Sequence, residues 1–146
     1  MGVLLAPGPV PLLKEIAEAQ CKDMISHRSG DFTKLYGDIV PRLKAYLGAE
    51  EAYVITGSGA LGLETLVLNL CEKEDKVLCL PNGEFGDHQA TTVKVYANAI
   101  VQRLEDGKGW NLERAKPHID ASGASVLAMV YNETSMGVRN DIKEIC

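Results

Sequence analysis

The densest chemical signal in the sequence is the run Thr56-Gly57-Ser58-Gly59-Ala60-Leu61-Gly62-Leu63-Glu64, which follows a β-rich stretch and opens a helical one. A helix start leaves backbone N–H groups unpaired and carries the positive end of the helix dipole, so a glycine-rich strand-to-helix junction suits a phosphate. Ser58 adds a hydroxyl, and Gly57 and Gly59 let the main chain approach an anion closely. Gly57, Gly59 and Gly62 also satisfy G-x-G-x-x-G, the dinucleotide fingerprint. The same residues would serve equally as a tight turn with a serine cap and no ligand.

Two further runs carry chemistry. In Asn82-Gly83-Glu84-Phe85-Gly86-Asp87, Phe85 is one of only 2 phenylalanines and is flanked by glycines that a core aromatic would not need. An aromatic presented there can stack on a planar ring, or can plug the start of a helix. Asn132-Glu133-Thr134-Ser135-Met136-Gly137 is rich in hydroxyls and side-chain acceptors; it reads as a ligand loop or as an ordinary capping loop. All three runs follow predicted strands, and open α/β sheets bind ligands beyond the carboxyl ends of their strands.

The elements that must position these residues follow from periodicity. From Pro11, Leu12, Leu13, Ile16, Ala17 and Met24 recur at helical spacing, which predicts an amphipathic helix. After a polar link the stripe Phe32, Leu35, Ile39, Leu43 and Tyr46 predicts a second helix, capped by Asp31, kinked or split at Pro41 and closed by Gly48. Beyond it, Ala52–Thr56, Lys76–Leu80, Ile100–Leu104 and Val126–Tyr131 read as strands. Helical stretches at Gly59–Leu70, Phe85–Asn98 and Leu112–Ala121 lie between them. This alternation implies parallel βαβ units: a three-layer α/β fold, mainly parallel, with helices on both faces and N-terminal helices in front. The division expected is 1–48 for the N-terminal segment and helices and 49–146 for the α/β domain. The closing run Asn140–Cys146 starts like a helix capped by Asn140 or Asp141 and stops within two turns, so the chain reads as ending mid-element.

Composition narrows the classes. With 146 residues, 15 Lys+Arg, 20 Asp+Glu, a net charge of -5 and 46% apolar residues, this is an acidic globular chain. A chain of this size buries roughly 70% of its unfolded surface and needs no metal or disulfide to hold a core. The negative balance gives no footprint for nucleic acid or for an anionic membrane, and no apolar run approaches the ~20 residues of a spanning helix. The start, MGVLLAPGPVP, lacks a basic region and is broken by prolines, which points away from a signal peptide and towards the cytoplasm. Cys21, Cys71, Cys79 and Cys146 form no C-x-x-C pair; the first three lie in apolar or amphipathic stretches, so buried free thiols are expected and no metal site is. His27-Arg28 sits in the link between the first two helices, and Trp110 after Gly107-Lys108-Gly109 reads as a turn anchored by a buried aromatic.

The ordered set LLAPGPVP, HRSGDF, TGSGALGLE, NGEFGDH and NETSMGV resembles the N-terminal part of the class V aminotransferases, the serine–pyruvate and alanine–glyoxylate group of pyridoxal-phosphate enzymes, along essentially the whole chain. The resemblance implies part of a large PLP-binding domain. It implies that Ser58, Gly59 and Ala60 hold the cofactor phosphate, that Phe85 stacks on the pyridine ring, and that Thr134 lies beside its phenolic oxygen. Substrate contacts are implied for Gly8, in the Pro7-Gly8-Pro9 turn, and for His27. Small amino acids and 2-oxo acids are the implied substrates, and a homodimer or a complementing C-terminal chain the implied partner. Relatives often carry Trp at the position of Phe85 and His at that of Ala60.

The family's Schiff-base lysine, its pyridinium-pairing aspartate and its carboxylate-binding arginine belong to segments after the NETSMGV loop. The chain is therefore expected to be an N-terminal portion with no catalytic residue of its own, since none of Lys76, Lys94, Lys108, Lys116 or Lys143 sits in a motif that replaces the lysine. An alternative is an NAD-binding Rossmann-like domain, with Glu84 on the ribose; it leaves Phe85 and the NETSMG loop without a task. Another is a non-catalytic chain that binds a partner through exposed apolar surface.

Overall fold

The computed structural model describes residues 4–146, so the first three residues of the MGVLLAPGPVP start lie outside it. The chain divides into two compact units, one up to Thr56 and one from Gly57 to Cys146.

The first unit carries α1 (Lys14–Gln20) and α2 (Gly30–Leu47). The helix predicted from Pro11 through Met24 is thus confined to its middle. The cap of α2 is Ser29, not Asp31: Ser29 is extended, and its Oγ accepts the Phe32 N–H at 3.2 Å. Asp31 instead occupies the first turn, where its charge suits the helix dipole. Pro41 lies inside α2 without splitting it, although it removes the bond to the Gly37 carbonyl. Gly48 ends the helix in the left-handed region at φ 64. The predicted strand at Ala52–Thr56 is not formed. The segment has no ladder partner among the described residues, Tyr53 is 81% exposed, and the Val54 N–H donates to the Tyr36 hydroxyl at 3.4 Å. β-branched and aromatic residues favour a strand only when another strand lies alongside.

The second unit is the α/β part. It runs α3 (Gly59–Leu70), β1 (Lys76–Cys79), α4 (Glu84–Tyr96), β2 (Asn98–Val101), α5 (Leu112–Ser122), β3 (Val126–Ala128), β4 (Asn132–Glu133), β5 (Val138–Arg139) and α6 (Ile142–Ile145). β1 is the centre of a parallel sheet in the order β2-β1-β3, with Val77 opposite both Ala99 and Val126. Side chains alternate across β1. Val77 and Cys79 pack with Val67 of α3 and Ala90 and Val93 of α4, while Leu78 and Leu80 pack with Trp110 and Ala115 on the opposite face. Helices therefore cover both faces, as the alternation requires, and each fully buried leucine contributes about 1.5–3 kcal/mol. Trp110 is 2% exposed and anchors its turn as expected.

Several boundaries shift. β2 begins at Asn98, earlier than predicted, yet the N–H groups of Gln102 and Leu104 still donate to the carbonyls of Cys79 and Pro81 at 2.9 Å, so pairing runs through the predicted 100–104. β3 stops at Ala128, and the polar run after it folds into an antiparallel β4–β5 hairpin that the sequence did not announce. α6 starts after Asp141 with no side-chain cap, and Asn140 is committed elsewhere. Only Cys79 is a buried thiol; Cys71 is intermediate and Cys21 and Cys146 are exposed. No helix among the described residues is long and apolar enough to cross a membrane.

Candidate functional site at the carboxyl edge of the sheet

Ser58 is the N-cap of α3. Its extended backbone (φ -79, ψ 166) turns Oγ back to accept the Leu61 N–H at 3.4 Å, and its carbonyl accepts the Gly62 N–H at 3.2 Å. The N–H groups of Gly59 and Ala60, in the first turn, have no intrahelical acceptor. Open space surrounds the position of a Cβ on Gly59, whereas one on Gly57 would collide with the Leu61 side chain. A side chain at position 57 would thus displace Leu61, and Gly59 leaves room for a group at the helix start. Ser58, Ala60 and Glu64 line a cleft of about 350 Å³ with His88, Thr91 and Tyr96 of α4. The Tyr96 hydroxyl donates to Glu64 Oε1 within it, a bond that raises the pKa of the phenol.

Phe85 stands in the first turn of α4 and is 48% exposed, so the ring is presented rather than plugged into the core. The glycines beside it are explained by close approach. A Cβ on Gly86 would lie 2.8 Å from the Pro81 Cα, and one on Gly83 would lie 2.5 Å from Glu133 Cγ and 2.7 Å from Ser135 Oγ. Thr134 is exposed at the hairpin turn, where its hydroxyl accepts from Asn132 Nδ2 at 3.2 Å.

The structure ties Phe85 to the hairpin through residues that the motif reading did not single out. The Glu133 carboxylate is fully buried and accepts the N–H of Gly86 at 2.9 Å and of Phe85 at 3.4 Å. Ser135 donates its hydroxyl to the same carboxylate at 2.5 Å and its N–H at 3.2 Å, and its Oγ accepts the Glu84 N–H at 3.0 Å. Burial pushes the Glu133 pKa up, but the Ser135 hydroxyl and the N–H groups of Gly86, Phe85 and Ser135 outweigh it and hold the carboxyl below its usual value. Behind this edge Asn82 and Asn140, both fully buried, exchange amide hydrogen bonds at 2.9 and 3.1 Å. The sequence placed Asn82 in the Phe85 run and Asn140 at a helix cap but carried no sign that the two pair, because they lie 58 residues apart.

Phe85 and Thr134 are therefore brought to one edge, while Ser58 and Ala60 open onto the cleft against α4, whose lining does not include Phe85. Glu84 lies in the first turn of α4. Gly8 and His27 belong to the first unit; Gly8 lies in a bend with nothing within 4 Å of a Cβ, and His27 is exposed in the turn before α2. Among the described residues no cluster of His, Cys, Asp and Glu could hold a metal.

No family model matches the chain. It is 34% identical to an uncharacterised aminotransferase of Methanocaldococcus jannaschii over 98% of its own length and 38% of that protein's. It is 30% identical to the 2-aminoethylphosphonate–pyruvate transaminase of Rhizobium meliloti, over 97% of this chain and 38% of that one. The structure superposes on alanine–glyoxylate aminotransferase of a Nostoc species with a TM-score of 0.87 at 26% identity, covering 99% of this chain and 40% of the other. The chain thus spans about two fifths of the length of the curated relatives it matches.

Proposed function

From a chain whose relatives are class V-like aminotransferases of the PLP-transferase fold, we propose that it corresponds to their N-terminal portion and supplies most of the cradle for pyridoxal phosphate. The observation that carries this reading is the set of accessible motif groups in the second unit. A helix start with free N–H groups and a serine hydroxyl, a half-exposed aromatic and an exposed threonine hydroxyl follow the successive motifs that the aminotransferase resemblance assigns to phosphate, ring and ring oxygen. The residues fit the group: Gly59 and Ala60 offer N–H donors, Gly59 leaves space, and the face of Phe85 is accessible. When bound, pyridoxal phosphate supplies the electron sink for transfer of an amino group between a small amino acid and a 2-oxo acid. Ser58, Gly59 and Ala60 then bind and orient its phosphate, Phe85 covers one ring face, and Thr134 donates to the ring oxygen. For Gly8 and His27 a substrate-side role rests on the resemblance alone.

The chain's own lysines do not take the catalytic part in this reading. Lys108 and Lys116 are ion-paired on the surface with Glu105 at 2.6 Å and Asp120 at 3.0 Å. Full activity is assigned to a homodimer or to assembly with a complementing chain. An apolar groove of about 260 Å³ beside β3, lined by Leu66, Leu70, Val126 and Met129, favours a partner on that side. All 4 cysteines are free, in keeping with a reducing compartment, and we place the protein in the cytoplasm.

The test is a comparative thermal shift of this chain with pyridoxal phosphate, inorganic phosphate and NAD, followed by borohydride treatment and peptide mapping. Stabilisation by pyridoxal phosphate and by phosphate, with no reduced lysine adduct, is expected. Stabilisation by NAD alone would reassign the glycine turn to a dinucleotide, and an adduct at one lysine would give the chain a catalytic residue.

A further inference from the structure

We propose that Glu133 is a positioning residue: its buried carboxylate caps the first turn of α4 and so fixes Phe85 relative to Thr134, the residue next to it in the chain. What those two residues hold rests on the function proposed above; the clamp stands on geometry alone. α4 has no cap of its own, because its N-cap is Gly83, which has no side chain. The free N–H groups of its first turn are met from the hairpin instead. Gly86 and Phe85 donate directly to Glu133, and Glu84 donates to Ser135, whose hydroxyl donates to Glu133. Among the described residues no Lys, Arg or His forms an ion pair with Glu133, so its charge is balanced by N–H and O–H donors and by the helix dipole. Gly83 is required beneath it, since any Cβ there would enter the carboxylate. An apolar side chain of the same volume would fill the space but strand these donors.

Amide hydrogen exchange of the full chain, read by NMR or mass spectrometry, tests the clamp. Glu133→Gln presents an amide NH2 to groups that are themselves donors, so exchange at Gly86 is expected to accelerate about ten- to a hundredfold while Val77 and Leu78 in β1 keep their protection. In Glu133→Ala, acetate is expected to restore Gly86 protection where an equal ionic strength of chloride does not. Unchanged Gly86 exchange in Glu133→Gln overturns the clamp, as does equal loosening throughout β1, which marks a general packing role. Should Glu133→Ala fail to fold, Glu133→Gln decides alone. Titration of wild type and Glu133→Gln with pyridoxal phosphate separates the two levels. Weaker binding by the variant, by about tenfold, is expected; equal binding overturns the role towards the ring. A wild-type chain that does not bind refutes the proposed function while the exchange result still judges the clamp.

Discussion

Replacing Asn140 by alanine removes four of the five hydrogen bonds of a buried amide network. Asn140 Oδ1 accepts from Asn82 Nδ2 at 2.9 Å and from the Trp110 N–H at 2.8 Å, and Asn140 Nδ2 donates to Asn82 Oδ1 at 3.1 Å and to the Val130 carbonyl at 2.7 Å; only the bond from Asn82 to the Lys108 carbonyl survives. Asn82, Asn140 and Trp110 are all buried, so the stranded groups have no ready access to bulk water. A buried polar group left without a partner costs about 1–3 kcal/mol. Water entering the vacated volume re-solvates part of the set, which brings the expected loss to about 3–5 kcal/mol, a large share of the ~5–15 kcal/mol that holds a domain together. Urea unfolding followed by far-ultraviolet circular dichroism measures it. Asn82→Ala deletes three of the same bonds, and the double variant should cost little more than Asn140→Ala alone, because both act on one network. A loss under about 1 kcal/mol for Asn140→Ala, against the range for stranded groups, would refute the account, as would strict additivity of the two substitutions.

Ser58→Ala should cost about 0.5–2 kcal/mol through loss of the α3 cap; Ser58→Asp should keep the cap but lose the thermal shift with phosphate, because a carboxylate repels the anion at that helix start. Burial pushes the Cys79 thiol up to about 11, so native-state alkylation at mildly alkaline pH should label Cys21 and Cys146 and spare Cys79; rapid labelling of Cys79 would contradict its packing. The folded-state pKa of Glu133 lies below its unfolded value, so its contribution is present above the unfolded pKa and lost as the pH falls through the folded one. Glu133→Gln should therefore flatten the acid limb of stability against pH, and an unchanged limb would show that the carboxylate is not stabilised by the fold.

What was legible in the sequence divides by the range of the interaction involved. The cap at Ser58 and the end of α2 at Gly48 are local events, completed within three or four residues, and both stand where the residue types put them. Parallel pairing followed from alternation, since a β–α–β connection returns to its sheet in the same direction, whereas the strand order β2-β1-β3 was not specified by it. The failure at Ala52–Thr56 has the opposite cause: its residues suit a strand, but strand formation is decided by a neighbour that the segment cannot specify. The glycines at 83 and 86 were visible as an anomaly beside Phe85, yet their reason is the Glu133 carboxylate on one side and the Pro81 backbone on the other. In a run of four polar residues Glu133 looks like any solvated loop carboxylate, and only contacts 47 and 48 residues away turn it into the cap of α4. The exposed motif residues, Phe85 and Thr134, were therefore visible in the sequence, whereas the buried polar residues that hold them in place were not. The second group is where a substitution that touches no ligand should do the most damage to the site.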